Sequence, residues 1–416
     1  RFGAGAPELP DQGQLAVSGT APSLNLDGWM RLARERLDGQ SGLSRLDIAD
    51  ATLDVQRLVF LNRMYRDVAL RLDIVDGVLH GTFDSEALAG TVRYSPGREE
   101  REAPAAAGED DGHRLVAEFE RLQVPKALAE GVTLDTDPRE MPALHLYARE
   151  FSWRGLELGE MRVESWPTAN GLHFETVEAG SPDLTFRASG DWEHHEGAPR
   201  SSFEILVTSE SLGRLLTALD ISSVVQGGQT VVQFDAWWPG PPTAFSPARL
   251  NGEMTLSILQ GELMNAQPGA GRVLGLISVA ALPRRLALDF RDVFSSGFQF
   301  DETSGTLRFD DGDAHTDALT MQSTAATITI SGMTDMEQQV FDYEVSVQPG
   351  LGQTLPVLGA LAGGPGGAAA GLALQGLLQK QLGEAAEARY RLTGPWQDPV
   401  VEPVLSPGSN GGGRGE

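Results

Sequence analysis

The sequence predicts a mainly β protein with a mostly antiparallel sheet and few short helices. Three observations support this fold class: apolar and polar residues alternate in many short runs, Asn-Gly and Asp-Gly pairs separate several of them, and windows with helical periodicity are few. Along the 416 residues we count roughly twenty such runs. Each is predicted as a strand with one apolar face and one polar face.

The clearest alternation lies in the second half of the chain, in FEILV (203–207), MTLSI (254–258), ATITI (326–330) and YEVSV (343–347). Dipeptides that favour tight hairpin turns follow or precede such runs, and we predict turns at Asn170-Gly171, Asn251-Gly252 and Asp311-Gly312. These segments therefore read as a succession of hairpins.

Four windows have helical periodicity: 26–37, 209–219, 270–282 and a stretch within 355–388. The third begins in GAGRVLG, which superficially resembles a nucleotide-binding loop. No strand precedes these glycines and no Lys-Ser/Thr follows, so we predict an apolar helix instead. Arg284 and Arg285 follow its C-terminus, where cations complement the helix dipole.

The chain divides by composition into four parts. Residues 1–352 are predicted as a repetitive β region, 353–389 as apolar Gly/Ala-rich helices, 390–405 as a terminal strand and 406–416 as a disordered tail. Within the first part, residues 95–112 mix Pro, Gly and dense charge and are predicted as a disordered loop.

Charge and cysteine content exclude several functions. The chain has 32 Lys and Arg against 58 Asp and Glu, a net charge of −26, which argues against nucleic-acid binding. It has no cysteine, so disulfides and thiolate sites are impossible, and this suits an oxidising compartment such as a periplasm. The chain begins with Arg1 and is expected to be part of a longer protein. It has no evident signal peptide or membrane span.

No motif in the sequence predicts a metal site or an active site. Residues 310–313, DDGD, resemble a calcium loop but lack its distal glutamate, so an acidic hairpin turn is expected. Residues 194–196, HHE, lack a third metal ligand and are expected in an exposed loop. No G-x-S-x-G nucleophile elbow occurs. We therefore predict no enzyme, no cofactor, no metal site and no catalytic residue.

The strands present more apolar surface than the few helices can cover. Two sheets could pack into a closed sandwich, or one long curved sheet could leave an apolar concavity. Periodicity alone does not separate the two arrangements, and general experience of β proteins favours the sandwich.

Several sequence blocks carry a resemblance to a known family. They are FDAWWPGPPTAF (234–245), LNGEMTLSILQGEL (250–263), LPRRLALDFRDVFSSGFQFD (282–301), ITISGMTD (328–335), YEVSVQPGLG (343–352) and YRLTGPWQDPV (390–400). With them the chain resembles the C-terminal region of the YhdP family of AsmA-like envelope proteins. Residues before about 230 are similar mainly through LAVSGTAPSLNLDGW (15–29).

The resemblance implies a long, curved, mostly antiparallel sheet that forms an open, taco-like groove. Such proteins conduct phospholipids across the periplasm of Gram-negative bacteria without catalysis. They are anchored in the inner membrane by an N-terminal helix, absent from this chain, and contact the outer membrane through C-terminal helices. Two other functions stay open: an envelope adaptor that binds protein partners, and an enzyme acting on envelope glycans through scattered Asp and Glu.

Under the first reading, the apolar strand residues are candidates for the lining of the lipid groove: Phe203, Ile205, Val207, Val232, Phe234, Met254, Leu256, Ile258, Phe298, Phe300, Leu307, Phe309, Ile328, Ile330, Val345 and Val347. Candidate contacts with the outer membrane are Leu355, Val357, Leu358, Leu361, Leu372, Leu374, Leu377 and Leu378. Arg284 and Arg285 are candidate contacts for lipid head groups.

Overall fold

The computed structural model describes residues 14–28, 47–60, 62–75, 78–95, 113–125, 128, 137–153, 155–218, 225–263, 298–324, 326–349, 388–396 and 399–404. Over these residues the chain forms twenty strands that belong to one sheet, so the mainly β fold class is confirmed and a two-sheet sandwich is wrong. Two compact units are present: unit 1 comprises residues 1–207 and 235–246, and unit 2 comprises residues 208–234 and 247–416.

Unit 1 is built from consecutive strands with short connections. They are β1 (Gln14–Ala21), β2 (Leu24–Asn25), β3 (Asp47–Phe60), β4 (Arg63–Val75), β5 (Val78–Asp84), β6 (Leu88–Ser95), β7 (Arg114–Val124), β8 (Ala143–Trp153), β9 (Leu156–Pro167), β10 (Gly171–Ser181), β11 (Leu184–His195) and most of β12 (Ala198–Ser209). From β3 to β11 each strand pairs with the next, always antiparallel except for the parallel pair β7–β8. Strands β1 and β2 both run parallel to β3.

The parallel pair requires a connection that returns from one end of the strands to the other, and this connection shows that the sheet of unit 1 is coiled. The N–H of Leu128 donates to the carbonyl oxygen of Asn62, between β3 and β4, at 2.8 Å. Asp137 lies 3.4 Å from His194 of β11. The nine peptide units from Leu128 to Asp137 span at most about 32 Å. On a flat sheet, the seven strand spacings from β4 to β11 alone would separate their two contact points by about 34 Å. The strand lengths would add further distance, so only a coiled sheet lets the chain make both contacts.

Unit 2 contains most of β13 (Val225–Pro239), then β14 (Asn251–Leu263), β15 (Phe298–Asp310), β16 (Asp313–Gln322), β17 (Ala326–Asp335), β18 (Val340–Pro349), β19 (Ala388–Pro395) and β20 (Val400–Pro403). From β14 to β20 each strand pairs antiparallel with the next. The helix predicted at 209–219 is present as α1 (Leu212–Ala218). Three short 3-10 turns, Pro138–Glu140, Pro242–Ala244 and Pro247–Arg249, complete the described elements.

The acidic turn at 310–313 is confirmed, and a second predicted turn is wrong. Asp311 and Gly312 have φ of 45° and 90° and join β15 to β16, as in a type I′ hairpin. Asn251 and Gly252 instead begin β14. The Asn251 side chain is used for a tertiary contact, because its Oδ1 accepts a hydrogen bond from the Asp311 N–H at 2.9 Å.

The histidine pair also differs from expectation. His194 and His195 are the last residues of β11, and only Glu196 and Gly197 form the turn that follows. The predicted helix at 26–37 is described only at residues 26–28, which are helical.

Several predictions lie outside the described residues, in 96–112, 264–297, 350–387 and 405–416. These include the glycine-rich stretch, Arg284, Arg285 and all candidate membrane contacts from Leu355 to Leu378. Within the described part of the chain, no helix has the length and hydropathy needed to span a membrane.

Candidate functional site: an apolar sheet face in each unit

Apolar side chains of unit 1 line up across nine strands, β3 to β11. Residues directly opposite each other on paired strands point to the same face, so the register defines continuous rows. One row is Leu53, Leu70, Phe83, Gly90, Phe119, Ala148, Met161, Ala179 and Phe186. The row beside it is Ala51, Leu72, Gly81, Val92, Ala117, Leu146, Val163, Val177 and Ala188. We call this surface apolar face 1.

The other side of the same strands is polar. The row that alternates with those above is Thr52, Arg71, Thr82, Thr91, Glu118, Tyr147, Arg162, Glu178 and Arg187. Arg187 pairs with Glu178 at 3.1 Å, and Arg162 pairs with Glu164. The sheet of unit 1 therefore separates an apolar surface from a charged one.

Unit 2 repeats this division. Its central row, from β14 to β18, is Ile258, Thr303, Met321, Ile328 and Val347. A neighbouring row, from β16 to β19, is Leu319, Ile330, Val345 and Tyr390. We call this surface apolar face 2.

The alternate residues of unit 2 form a polar side with exposed ion pairs. Its row comprises Ser257, Ser304, Thr320, Thr329, Ser346 and Arg389. The ion pairs on this side include Arg308–Glu253 at 3.2 Å and Arg391–Asp342 at 3.1 Å.

One end of apolar face 2 is covered by α1. Val225, Phe300, Met321 and Ile328 form a buried cluster there. Leu212 and Leu216 of α1 pack against it, as do Ile258, Ile330, Val345 and Val347. The structure thus brings together six of the predicted lining residues at this cluster.

The remaining predicted residues occupy several strands. In unit 1, Phe203 lies between the rings of Phe174 and Trp238, at centroid distances of 5.5 and 5.6 Å. Ile205 and Val207 are half-buried on the same strand.

In unit 2, Val232 and Phe234 are half-buried in β13, and the Phe234 ring lies 5.2 Å from that of Phe309. Met254 opposes Leu307, and Leu256 opposes Gly305, in the β14–β15 pair. Phe298 is the first residue of β15.

Sequence reasoning missed apolar face 1 almost entirely, because none of the predicted lining residues precedes Phe203. The signal was present but weaker: in β4 the run ALRLDIV places Leu70 and Leu72 on one side and Arg71 and Asp73 on the other. Small residues such as Gly81, Gly90 and Ala148 interrupt the rows, so the two sides of each strand differ less in hydrophobicity.

Several tyrosines on the apolar faces have a raised pKa. Burial raises the pKa of Tyr343 to about 12, and it also raises the pKa of Tyr390 and Tyr65. Their hydroxyls stay neutral at physiological pH, as an apolar surface requires. Away from these faces, hydrogen bonds from Arg139 hold the pKa of Asp137 well below its usual range.

No arrangement suited to metal chemistry is present in the described ranges, where no group of three or more His, Asp or Glu could hold an ion. A cavity of about 610 Å³ lies against the middle strands of unit 1, and its lining includes charged-side residues such as Glu118, Arg162 and Arg187 together with Leu146 and Met161 of apolar face 1. Its arginines already pair with glutamates, and it does not coincide with the predicted lining.

Comparisons with known proteins agree with the resemblance found in the sequence. The family profile described as "YhdP protein" matches residues 1–401. Over 237 residues the chain is 30% identical to the "Intermembrane phospholipid transporter YhdP" of Escherichia coli (strain K12). The aligned segment covers 57% of this chain and 18% of that protein. The chain therefore spans less than a fifth of the relative. No solved structure matches.

Proposed function

The chain belongs to the YhdP family, and from this membership and its apolar sheet faces we propose that it is part of a lipid carrier of the cell envelope. Phospholipids move between the inner and outer membranes with their acyl tails against apolar faces 1 and 2. The observation that carries the proposal is the alignment of two apolar rows across nine strands of unit 1. The name of the Escherichia coli relative, an intermembrane phospholipid transporter, supports it.

Magnitudes show why such a surface is needed. Covering one methylene is worth about 0.8 kcal/mol, so two sixteen-carbon tails represent roughly 25 kcal/mol of protection from water. Eight strand spacings give apolar face 1 a width of about 38 Å. One leaflet contributes about half of a hydrocarbon thickness of about 30 Å. The face is therefore wide enough to shelter complete tails, and successive rows provide equivalent positions along which a tail can move.

The coiled sheet of unit 1 and the polar opposite side fit the same mechanism. A coiled sheet can wrap its apolar side around hydrocarbon, in the manner of a taco-like groove, while the charged side faces water. The head group stays hydrated, because moving a phosphate into an apolar row would cost its solvation. The chain acts by sheltering tails and needs no catalysis, cofactor or metal.

Other parts of the proposal rest on the family resemblance. The apolar residues between Leu355 and Leu378 are the proposed contacts with the outer membrane, and Arg284 and Arg285 the proposed contacts with head groups. The protein works in the periplasm of a Gram-negative bacterium, and an N-terminal helix of the full-length protein anchors it in the inner membrane.

A site-specific crosslinking experiment tests the proposal. A photoreactive amino acid is placed at Ile330 on apolar face 2 or at its polar-side neighbour Thr329, and likewise at Val163 on apolar face 1 or at Arg162. In cells with labelled phospholipid, we expect capture at Ile330 and Val163 and background at the two neighbours. Equal capture on both sides of either strand would overturn the proposal. Copurification of a protein partner without lipid would support an adaptor instead.

A further inference from the structure

Among the described residues, three buried side-chain atoms have no hydrogen-bond partner: His145 Nε2, Trp192 Nε1 and Thr303 Oγ1. His145 belongs to the charged side of unit 1, and Trp192 lies near one end of β11. Thr303 differs from both because it sits in the central row of apolar face 2, and only 4% of it is exposed. Buried polar groups without partners are rare in folded proteins and each calls for an explanation.

The neighbours of Thr303 are apolar on both adjoining strands. Ile258 lies opposite it on β14, and Met321 lies opposite it on β16. The nearest guanidinium along its own strand, that of Arg308, is on the polar side, where it pairs with Glu253 and Asp317. A threonine hydroxyl can donate one hydrogen bond. The two residues before it on β15, Asp301 and Glu302, are acidic, so an anionic group is disfavoured here.

We propose that the Thr303 hydroxyl donates a hydrogen bond to an ester carbonyl oxygen of a diacyl lipid lying on apolar face 2. This inference rests on the proposed function and names the part of the lipid that is recognised. Saturated tails offer no acceptor, and a phosphate would lose its hydration here without gaining a cation. An ester carbonyl is a neutral acceptor, and it joins the tails to the rest of the lipid, so it can reach the row while the head group stays in water.

The cover over this part of the face is compatible with lipid entry. Met321 belongs to the buried cluster on which Leu212 and Leu216 of α1 pack. A lipid that reaches Thr303 replaces these leucine contacts with acyl contacts of the same apolar character. The helix has only seven residues, and so short a helix depends on packing for its stability. Exchange of one apolar cover for another therefore supplies a route to the hydroxyl.

Competition between ester and ether lipids tests the inference. The purified protein is offered equal amounts of diacyl and dialkyl phosphatidylethanolamine with the same tails, and bound lipid is quantified by native mass spectrometry. The wild-type protein should prefer the ester lipid by about twofold to tenfold, the range of one neutral hydrogen bond. Thr303→Val keeps the shape but removes the hydroxyl, and its ratio should fall to about one. Thr303→Ser should retain the preference, and Thr329→Val on the polar side should not change it.

The outcomes separate this inference from the function on which it rests. Equal binding of the two lipids by the wild-type protein, or an ester preference that survives in Thr303→Val, would overturn the role of Thr303 and leave lipid transport standing. Failure of both lipids to bind the wild-type protein would overturn the proposed function and this inference together. Amide exchange of β14–β17 confirms that the valine and serine variants are folded alike.

Discussion

Two isoleucines on one strand allow packing to be separated from lipid contact. Ile328 and Ile330 lie two residues apart in β17 and point to the same face. Ile328 is 1% exposed within the buried cluster of unit 2, whereas Ile330 is half-buried at its border. Truncation to alanine removes the same three carbons from each, so a difference between the variants reports environment and not chemistry.

The expected magnitudes follow from burial. For Ile328→Ala, three methylene equivalents at about 0.8 kcal/mol give about 2.4 kcal/mol, and the cavity left behind raises the cost to about 3 kcal/mol. For Ile330→Ala, partial exposure and a site open to solvent reduce the cost to about 1 kcal/mol. Each 1.4 kcal/mol is a factor of ten, so protection of amides should fall more than a hundredfold in the first variant and about fivefold in the second.

Hydrogen exchange with mass spectrometry is the appropriate assay. A chain with two compact units need not unfold in one step, so a single global melting curve would mix their stabilities. Peptides from β16 to β18 report unit 2 alone. Equal losses of protection in the two variants, or a larger loss for Ile330→Ala, would refute the distinction between a packed cluster and a surface available to lipid.

Three further predictions concern backbone, charge and pH. Gly190→Ala should lower the amide protection of β10–β12 in hydrogen exchange, because a Cβ there would lie 2.1 Å from a carbonyl oxygen of the next strand, whereas Gly180→Ala, whose nearest atom is 3.8 Å away, should be tolerated. Arg391→Ala should lower the amide protection of β18 and β19 by at most about fivefold, about 1 kcal/mol, and leave lipid capture unchanged, since its pair with Asp342 is exposed on the polar side. Tyr343 should ionise at about pH 12 by ultraviolet absorbance, and because its pKa is raised from 10.0, its stabilising effect is complete below pH 10 and lost as the pH rises through 12.

The strands could be predicted from sequence because their alternation is a local property. The run ATITI fixes which residues of β17 share a side, and the structure pairs Ile328 with Val347 and Ile330 with Val345 accordingly. The number of sheets cannot be predicted from this local property, because the same alternation suits a sandwich and a single sheet. Asn251-Gly252 illustrates a further limit, since a dipeptide typical of turns is used within a strand for a hydrogen bond to a distant hairpin.

Apolar face 1 and Thr303 were hidden for different reasons. The rows of unit 1 mix large residues such as Phe119 with small ones such as Gly90, and each strand alone shows weak contrast. Only the register shows that Gly90 lies opposite Phe119, so that one ring fills the space of two side chains. Thr303 belongs to TSGTLRF, which reads as a mostly polar run, and its position between Ile258 and Met321 depends on the pairing of three strands.

The sequence blocks that carry the family resemblance contain residues of apolar face 2 and also residues that make directed contacts elsewhere. In WWPGPP the Trp238 ring stacks on Phe203, and its Nε1 donates to the Pro241 carbonyl oxygen at 3.1 Å. In TGPW the Trp396 ring stacks on Phe341, and its Nε1 donates to the Thr334 hydroxyl at 2.9 Å.

The positions of Trp238 and Trp396 need particular residues, because a directed hydrogen bond and a stacked ring tolerate few substitutes. An acyl tail makes only nondirectional contacts, so any apolar side chain of suitable size can serve beneath it. The surface proposed to bind lipid is therefore specified by the spacing of apolar residues along the strands and not by their identities. The two tryptophan motifs are therefore the more specific parts of these blocks, whereas the extent of the apolar faces required the register of the strands.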